Sequence, residues 1–494
     1  MSKVLLIGGT DPSGAGLQTD WKIIHAMNMQ AISIITAVTA QSQTSVFNKG
    51  VLNKEIFEQQ LLSQKQQIFS AIKIGMLGNE HIISILEPFL KNQSKNTPII
   101  LDPVLVASSG GELLTKEGVD SLISLLLPLT TLITPNIKEL SLLTDLPVSN
   151  ITEITTAAKH LIKLGATAVL VKGGHFSPEK AKSYDLFISP SEQFYLEGER
   201  WKNRQNVRGT GCALATSITS AIALGYCLSD SLVIAKGMIS QGIRNARKDS
   251  GDDSYQLLFN QNRIDFKRQD LPKLIYQLQS DTHNLSFPSC GSKTLGIYPV
   301  VDSLEWIKKL VPLGIETIQL RIKDKTNTKV ESEIKAAIEY CKQYPTRLFI
   351  NDYWQLAIKH QAYGIHLGQE DIETTDLQAI AESGCRLGLS THSFTEVARA
   401  HTIKPSYLAL GPIFATTSKD MPWIPQGIES VKKWVALLGD DYPLVAIGGI
   451  NLERAKLLKN TGVGSVAMIS AITEADDYQE RTCELLNLWE SREE

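Results

Sequence analysis

The sequence predicts an α/β protein in two parts, and three observations carry that reading. Short β-branched runs alternate with amphipathic stretches along the chain, the pattern of parallel strands joined by crossover helices. The composition changes after residue 266, where Lys267 to Ser292 turns polar and carries Pro272 and Pro288. Beyond it, eight apolar strand candidates occupy about 200 residues, which suits a compact (β/α)8 barrel. An open doubly wound sheet is the competing arrangement, and spacing alone does not choose between them. With roughly 150 residues per domain as a guide, 494 residues allow two large domains or three smaller ones. The expected division is a domain at 1–266, a linker at 267–292 and a domain at 293–494. Within the linker, Leu271 to Leu278 has the pattern of a short amphipathic helix.

In the first part, Val4 to Ile7 forms a strand that runs into Gly8-Gly9-Thr10-Asp11-Pro12-Ser13-Gly14-Ala15-Gly16. That loop has neither P-loop nor dinucleotide-fingerprint spacing, and a plain structural turn explains it equally well. Further strands end at Asp102-Pro103, at Leu132-Ile133 before Asn136-x-x-Glu139, and at Lys172-Gly173-Gly174-His175. Arg208-Gly209-Thr210-Gly211-Cys212 precedes a small-residue helix from Ala213 to Leu224. Free N–H groups at such a helix start suit a phosphoryl group, and the helix dipole there lowers a thiol pKa. The bland reading of Cys212 is a small buried cysteine.

In the second part the strand candidates are 295–301, 317–322, 347–351, 364–368, 386–390, 407–411, 444–448 and 465–469. Helical stretches such as Ser303 to Leu310, Glu331 to Tyr344, Trp354 to His360 and Ser430 to Leu438 separate most of them. Polar residues follow the strands: Arg321 and Lys323, Asn351 and Asp352, Gln369 and Asp371, Ser390, Lys419, Gly449 and Ser470. In a barrel these positions meet at the C-terminal mouth, where active sites are built. Arg321 and Lys323 lie two apart, so in a strand they share a face and suit a phosphate or diphosphate. Asp352 and Asp371 offer hard oxygen ligands for Mg²⁺ bound together with that diphosphate.

Composition narrows the function classes. Lysine plus arginine is 49 and aspartate plus glutamate is 52, a formal charge of −3. Hydrophobic residues make up 43% and charged residues 20%, enough apolar surface to order the chain. The near-neutral balance argues against a dedicated nucleic-acid binder or a polybasic membrane protein. Val4 to Ile7 is too short for a signal-peptide core, and Leu122 to Ile133, broken by Pro128, is too short to span a bilayer. Six cysteines without a C-x-x-C pair read as reduced thiols in a cytoplasm.

The runs Gly296 to Asp302, Gln319 to Asp324, Phe349 to Asp352, Gly368 to Asp371 and Ala446 to Gly449 resemble thiamine phosphate synthase over nearly all of residues 293–488. That resemblance implies a TIM barrel joining a pyrimidine methyl diphosphate to a thiazole phosphate. It implies that Gln319, Leu320, Arg321, Ile322, Lys323, Asn351, Ser390 and Lys419 hold the pyrimidine diphosphate. Thr416, Thr417 and Ser418, with Gly449, Ile469 and Ser470, would hold the thiazole phosphate, and Asp352 and Asp371 the Mg²⁺. The family usually has Phe-Pro-Thr-x-Thr-Lys where this chain has Phe414 to Lys419, with Ala415 and Ser418 as the departures.

Together, the motifs of the first part resemble the hydroxymethylpyrimidine/phosphomethylpyrimidine kinases of the ribokinase superfamily, over roughly residues 3–258. The implied fold is a three-layer α/β/α domain. Gly209, Thr210, Gly211 and Cys212 would be catalytic, forming the anion hole and its thiol. Gln41 and Met76 would contact the pyrimidine, Asp102 and Glu139 would organise Mg²⁺, and Lys172 would approach the phosphates of ATP. Two departures are a glycine loop one residue shorter than usual and Arg208 where the family usually has histidine. A pyridoxal kinase and a non-catalytic pyrimidine sensor are the competing readings of this half. The expected whole is a bifunctional, cytoplasmic enzyme of thiamine biosynthesis with small-molecule substrates, no nucleic-acid or membrane partner, and homo-oligomeric assembly as in both families.

Overall fold

The structure is a computed structural model. It describes every residue except 1, 13, 42–45, 94–96, 107–110, 174–180, 202–206, 249–254, 260–265, 279–284, 324–328, 416–424 and 491–494, with the backbone alone at 41 and 208. The chain divides into two compact units, Met1–Leu278 and Gln279–Glu494.

The strands of the first unit are β1 (Lys3–Thr10), β2 (Gln30–Gln41), β3 (Val46–Val51), β4 (Ala71–Ile74), β5 (Ile99–Leu101), β6 (Leu132–Ile133), β7 (Val169–Val171), β8 (Lys182–Ile188), β9 (Gln193–Glu199), β10 (Val207–Arg208), β11 (Arg247–Lys248), β12 (Tyr255–Gln256) and β13 (Lys273–Ile275). Ten of them form one sheet in the order β13-β9-β8-β7-β6-β5-β4-β1-β2-β3, and β10, β12 and β11 form a small second sheet. From β7 to β2 the large sheet is parallel. The helices are α1 (Leu17–Ala26), α2 (Lys54–Ser63), α3 (Glu80–Lys91), α4 (Lys116–Ser121), α5 (Ile137–Thr144), α6 (Ile151–Lys163), α7 (Thr210–Ala223) and α8 (Leu228–Arg244).

Period-2 alternation in β4 shows that helices cover both faces. Ile72 and Ile74 join a core with Phe57 of α2, Leu86 of α3 and Leu161 of α6. Lys73, between them, points to the other face, where it meets Asp20 of α1. The unit is thus a three-layer α/β/α structure. The chain runs outward from β1 to β2 in one direction and to β4 in the other, so β1 and β4 flank a topological switch point, where such sheets open a crevice at their C-terminal strand ends.

One local expectation fails. Leu271 to Leu278 is not a helix: Lys273–Ile275 is β13, paired antiparallel with β9 at the sheet edge. Leu271, Leu274 and Ile275 are all buried there. Apolar residues at 271, 274, 275 and 278 have helical spacing, but Pro272 breaks the stretch and the open edge of β9 supplies the backbone partners. Segment 267–278 therefore lies in the first unit. Leu122 to Ile133 is buried helical turn followed by β6, and among the described residues no helix is long and apolar enough to cross a membrane.

In the second unit β14 (Gly296–Val301), β15 (Thr317–Leu320), β16 (Arg347–Asn351), β17 (Gly364–Leu367), β18 (Arg386–Thr391), β19 (Tyr407–Leu410), β20 (Leu444–Ile447) and β21 (Ser465–Met468) form a closed barrel. Parallel pairing of β14 with β21 closes it and excludes the open sheet. Helices α9 (Leu304–Leu310), α10 (Val330–Cys341), α11 (Trp354–Lys359), α12 (Leu377–Glu382), α13 (Phe394–Ile403), α14 (Gly427–Leu438), α15 (Leu452–Lys459), α16 (Ser470–Thr473) and α17 (Tyr478–Glu490) accompany the strands.

The barrel interior is aromatic and polar. Tyr298, Phe349 and Tyr407 fill it, and Gly388 is glycine because a Cβ there would lie 2.2 Å from the Tyr407 ring. The Tyr407 hydroxyl meets the Tyr298 hydroxyl at 2.9 Å and His366 Nδ1 at 2.7 Å, while His366 Nε2 meets Ser390 Oγ at 2.9 Å. Tyr407→Phe removes two buried hydrogen bonds and is expected to cost about 1–3 kcal/mol. Thermal unfolding followed by calorimetry should show the barrel transition falling by several degrees.

Candidate active sites

In the first unit the expected site residues lie at the C-terminal ends of adjacent parallel strands. Asp102 follows β5, Thr134 and Asn136 follow β6, and Lys172 follows β7. Lys172 Nζ is 2.6 Å from Asp102 Oδ1 and 3.7 Å from Glu139 Oε2. Thr134 Oγ1 donates to Asp102 Oδ1 at 3.3 Å. The Asn136-x-x-Glu139 motif is a capping box on α5: the Asn136 N–H donates to Glu139 Oε2 at 2.7 Å, and the Glu139 N–H to Asn136 Oδ1 at 2.9 Å. Glu139 thus starts the helix and reaches the lysine with the same carboxylate.

Across from these strands α7 begins just after Gly209, whose φ of 74° is left-handed, and among the described residues no side chain caps the helix. The first-turn N–H groups are therefore without a cap side chain, as an anion hole requires. Lys172 lies beside them, since a Cβ on Gly211 would be 3.2 Å from its Nζ. Met76 follows β4 and packs with Ala37 and Leu113, its sulfur 2.8 Å from where a Cβ on Gly9 would stand. Met76 and the glycine loop thereby line the switch-point crevice. Gln41 ends β2, but its side chain, like that of Arg208, lies outside the described residues, as do Gly174 and His175.

Electrostatics correct one expectation. Burial pushes the Cys212 thiol up to about 12, and Asp102 and Asp20 add to the rise against the pull of Lys73 and Lys172. The helix dipole therefore does not yield a thiolate in the free chain. Burial also works against the Asp102 carboxylate, but Lys172 and Lys73 outweigh it, and a hydrogen bond from Cys212 adds to the lowering. Burial raises Glu139 to about 7, with Asp102 assisting and Lys172 opposing. Among the described residues no three potential metal ligands cluster.

In the barrel, Gln319 points inward and its Nε2 donates to the Tyr298 hydroxyl at 3.4 Å. Leu320 alternates with Gln319 to the outside of β15, and Leu320 and Ile322 are both buried. Arg321 and Lys323 follow the end of β15, Arg321 half-buried and Lys323 exposed. Asn351 and Ser390 end β16 and lie within β18. Asp352 has a left-handed φ of 63°, and Asp371 Oδ2 accepts the Gly368 N–H at 3.1 Å. Ile469 and Ser470 open α16 directly after β21. Thr416, Thr417, Ser418 and Lys419 lie outside the described residues.

Comparison with known proteins gives these sites a context. Residues 11–254 match the family model of phosphomethylpyrimidine kinase, and residues 297–472 that of thiamine monophosphate synthase. The thiamine-phosphate synthase of Serratia proteamaculans is 58% identical over 207 residues, which is 42% of this chain and 97% of that protein. The chain belongs to the thiamine-phosphate synthase family. Its first unit is a kinase of the phosphomethylpyrimidine type, so the chain is a bifunctional enzyme of thiamine biosynthesis. The thiamine-phosphate synthase of Citrobacter koseri is 57% identical over 39% of this chain and 90% of that protein. A phosphomethylpyrimidine kinase structure from Clostridium difficile 630 is 33% identical, covering 49% of this chain and all of that one at a TM-score of 0.43. A pyridoxal kinase from Staphylococcus aureus in complex with ADP is 28% identical over 56% of this chain and 97% of that one, with a TM-score of 0.49.

The donor sets fit Mg²⁺ shared with phosphate oxygens, a cation that takes one or two carboxylates together with its substrate. Asp102 and Glu139 meet on one ammonium in the kinase, and Asp352 and Asp371 follow adjacent strands in the synthase. Sequence reasoning missed two features. One is the inward Tyr298–Tyr407–His366 chain that ends on Ser390. The other is the buried pair Lys73–Asp20, 2.7 Å apart, with each residue almost wholly inaccessible. The signal for the second was a lysine in the apolar strand Ala71–Ile74.

Gly449 of the synthase has a φ of 63°, and a Cβ there would stand 2.3 Å from the Ala415 carbonyl oxygen. Gly449→Ala is therefore expected to displace the backbone at Phe414 and Ala415. The KM for thiazole phosphate should rise at least tenfold, about 1.4 kcal/mol, while the KM for the pyrimidine diphosphate changes little. Steady-state kinetics on each substrate checks this.

Proposed function

We propose that the kinase unit uses ATP twice, converting 4-amino-5-hydroxymethyl-2-methylpyrimidine to its phosphate and then to its diphosphate. The synthase unit then couples that diphosphate to thiazole phosphate. The observation that supports this most is the convergence of Asp102, Glu139 and Lys172 on the uncapped start of α7. Met76 and Gln41 would hold the pyrimidine, and the amides of Gly209 to Cys212 would receive the transferring phosphoryl group. Lys172 would draw the phosphate charge. In the first transfer, a new bond forms between the substrate oxygen and phosphorus as the bond to ADP breaks. The alcohol proton passes to the Cys212 sulfur as the thiol proton passes on to Asp102, the carboxylate that Lys172 and Lys73 keep ionised. Mg²⁺, organised by Asp102 and Glu139 directly or through water, would neutralise phosphate charge.

In the synthase, Arg321, Lys323 and Lys419 would bind the diphosphate, and Gln319, Asn351 and Ser390 would orient the pyrimidine end. Asp352 and Asp371 would hold Mg²⁺, which lowers the cost of charge on the departing diphosphate. The aminopyrimidine ring stabilises the methylene cation left behind, and the thiazole nitrogen attacks it without a protein nucleophile. Gly449, Ile469 and Ser470, with Thr416 to Ser418, would place the thiazole phosphate. A direct test presents the purified chain with ATP and equal hydroxymethylpyrimidine and pyridoxal, and follows the products by mass. The pyrimidine should be phosphorylated faster and reach the diphosphate. Preferential pyridoxal phosphorylation would replace this reading with a pyridoxal kinase.

A further inference from the structure

The kinase mechanism above uses Lys73 only through its charge on Asp102 and Cys212 and leaves the rest of a buried network unused. Asp20 of α1 is fully buried, and its Oδ2 is 2.7 Å from Lys73 Nζ of β4. Its Oδ1 accepts from Thr216 Oγ1 of α7 at 2.6 Å. Thr216 is also fully buried and sits one turn beyond Cys212. The neighbouring α1 residue, Thr19, abuts the head of the same helix: a Cβ on Gly209 would be 3.3 Å from its Oγ1. Thr19 Oγ1 in turn donates to the Gly14 carbonyl of the glycine loop at 2.9 Å. At the far end, the Lys73 ammonium presses on Gly75, the residue before Met76; a Cβ there would be 2.8 Å from Nζ. One network thus ties the glycine loop, the strand end that carries Met76, and the first turns of α7.

Resting on the site reading just proposed, we infer that Lys73, Asp20 and Thr216 are positioning residues. They form a latch that sets where Gly209 to Cys212 stand relative to the pyrimidine wall at Met76. A buried ion pair is a poor source of net stability, since well-packed apolar residues of similar size often serve as well or better. A fixed geometry is what such a pair can supply and an apolar contact cannot: its hydrogen bonds specify both distance and direction. The latch touches neither substrate nor phosphate, so its effect falls on the transfer step. Misplacement by about 1 Å far from the chemistry can cost on the order of a hundredfold in rate.

The experiment compares Thr216→Val, Thr216→Ser and the neutral pair variant Asp20→Asn/Lys73→Met in the full chain. Thr216→Val keeps the shape of the side chain and loses the hydroxyl; Thr216→Ser keeps the hydroxyl. Thr216→Val is expected to lower kcat for pyrimidine phosphorylation by about tenfold to a hundredfold, with both KM values within about twofold. Thr216→Ser should stay near the wild-type kcat, and the pair variant, which also removes the Lys73 charge beside Asp102, should lose at least as much as Thr216→Val. Amide hydrogen exchange over residues 211–216 should be at least about tenfold faster in Thr216→Val and unchanged in Thr216→Ser. Synthase activity of the same samples should be unaltered. Wild-type kcat and exchange in Thr216→Val would overturn the latch, as would equal losses in the valine and serine variants. If Cys212→Ala retained full kinase activity while exchange still separated valine from serine, the reading of the thiol would fail and the latch would stand.

Discussion

Asp102→Asn is expected to lower pyrimidine phosphorylation by about 10³-fold while leaving thiamine phosphate formation from supplied pyrimidine diphosphate unchanged. Asp102 is almost inaccessible and holds the Lys172 ammonium at 2.6 Å. Its carboxylate stays ionised because Lys172 and Lys73 outweigh its burial, with Cys212 adding to the lowering. Asparagine keeps the shape and removes both the charge and the proton acceptor. Loss of a positioned acid–base group accounts for about 10²–10⁴ in rate, and the misplaced lysine adds to it. Removing one partner of a buried pair also costs about 3–5 kcal/mol, so a thermal melt should show the kinase unit destabilised. Stopped-time assays of each half-reaction separate the two units. A variant with more than a tenth of wild-type kinase activity would remove Asp102 from the transfer step.

The second large effect is expected at Asp352, where the choice of substitution matters. Asp352 holds a left-handed φ of 63°, a conformation that asparagine shares and alanine resists. Asp352→Ala would therefore confound lost charge with backbone strain. Asp352→Asn removes the charge alone. It is expected to lower thiamine phosphate formation by about 10²–10³-fold, as loss of one electrostatic contact to a developing anion does, with pyrimidine phosphorylation unchanged. Raising Mg²⁺ should restore part of the rate, because a weakened ligand set binds the ion less tightly. An unimpaired Asp352→Asn synthase would show that Asp352 lies outside the diphosphate chemistry.

Much of this was legible in the sequence for physical reasons. All eight strands of the second unit lie at their expected runs, because buried strands with crossover helices carry a local apolar signal. Closure of the barrel was not legible, because pairing of β14 with β21 joins residues 296–299 to 465–468, far apart in the chain. The helix expected at 271–278 failed because helical spacing is a local signal and the partner that decided the outcome, β9, is distant. The site motifs were legible as strand-end polar residues, whereas the ionisation of Cys212 was not. The helix-start argument counts one dipole. The fold adds burial and the carboxylates of Asp102 and Asp20 from other elements, and those dominate. The Lys73–Asp20–Thr216 network escaped for the same reason: its members lie on β4, α1 and α7 and meet only in three dimensions.

The central claim is that one chain carries two working sites in series. The most direct test incubates the purified full chain with hydroxymethylpyrimidine, thiazole phosphate, ATP and Mg²⁺, and follows thiamine phosphate by mass. The expected result is product from the wild-type chain and about 10²–10³-fold less from Asp102→Asn or Asp352→Asn alone. Mixing the two variants should restore product, because the diphosphate made by one can be used by the other. No product from the wild-type chain, with product appearing once the pyrimidine diphosphate is supplied, would contradict the account by leaving the first unit without its kinase role.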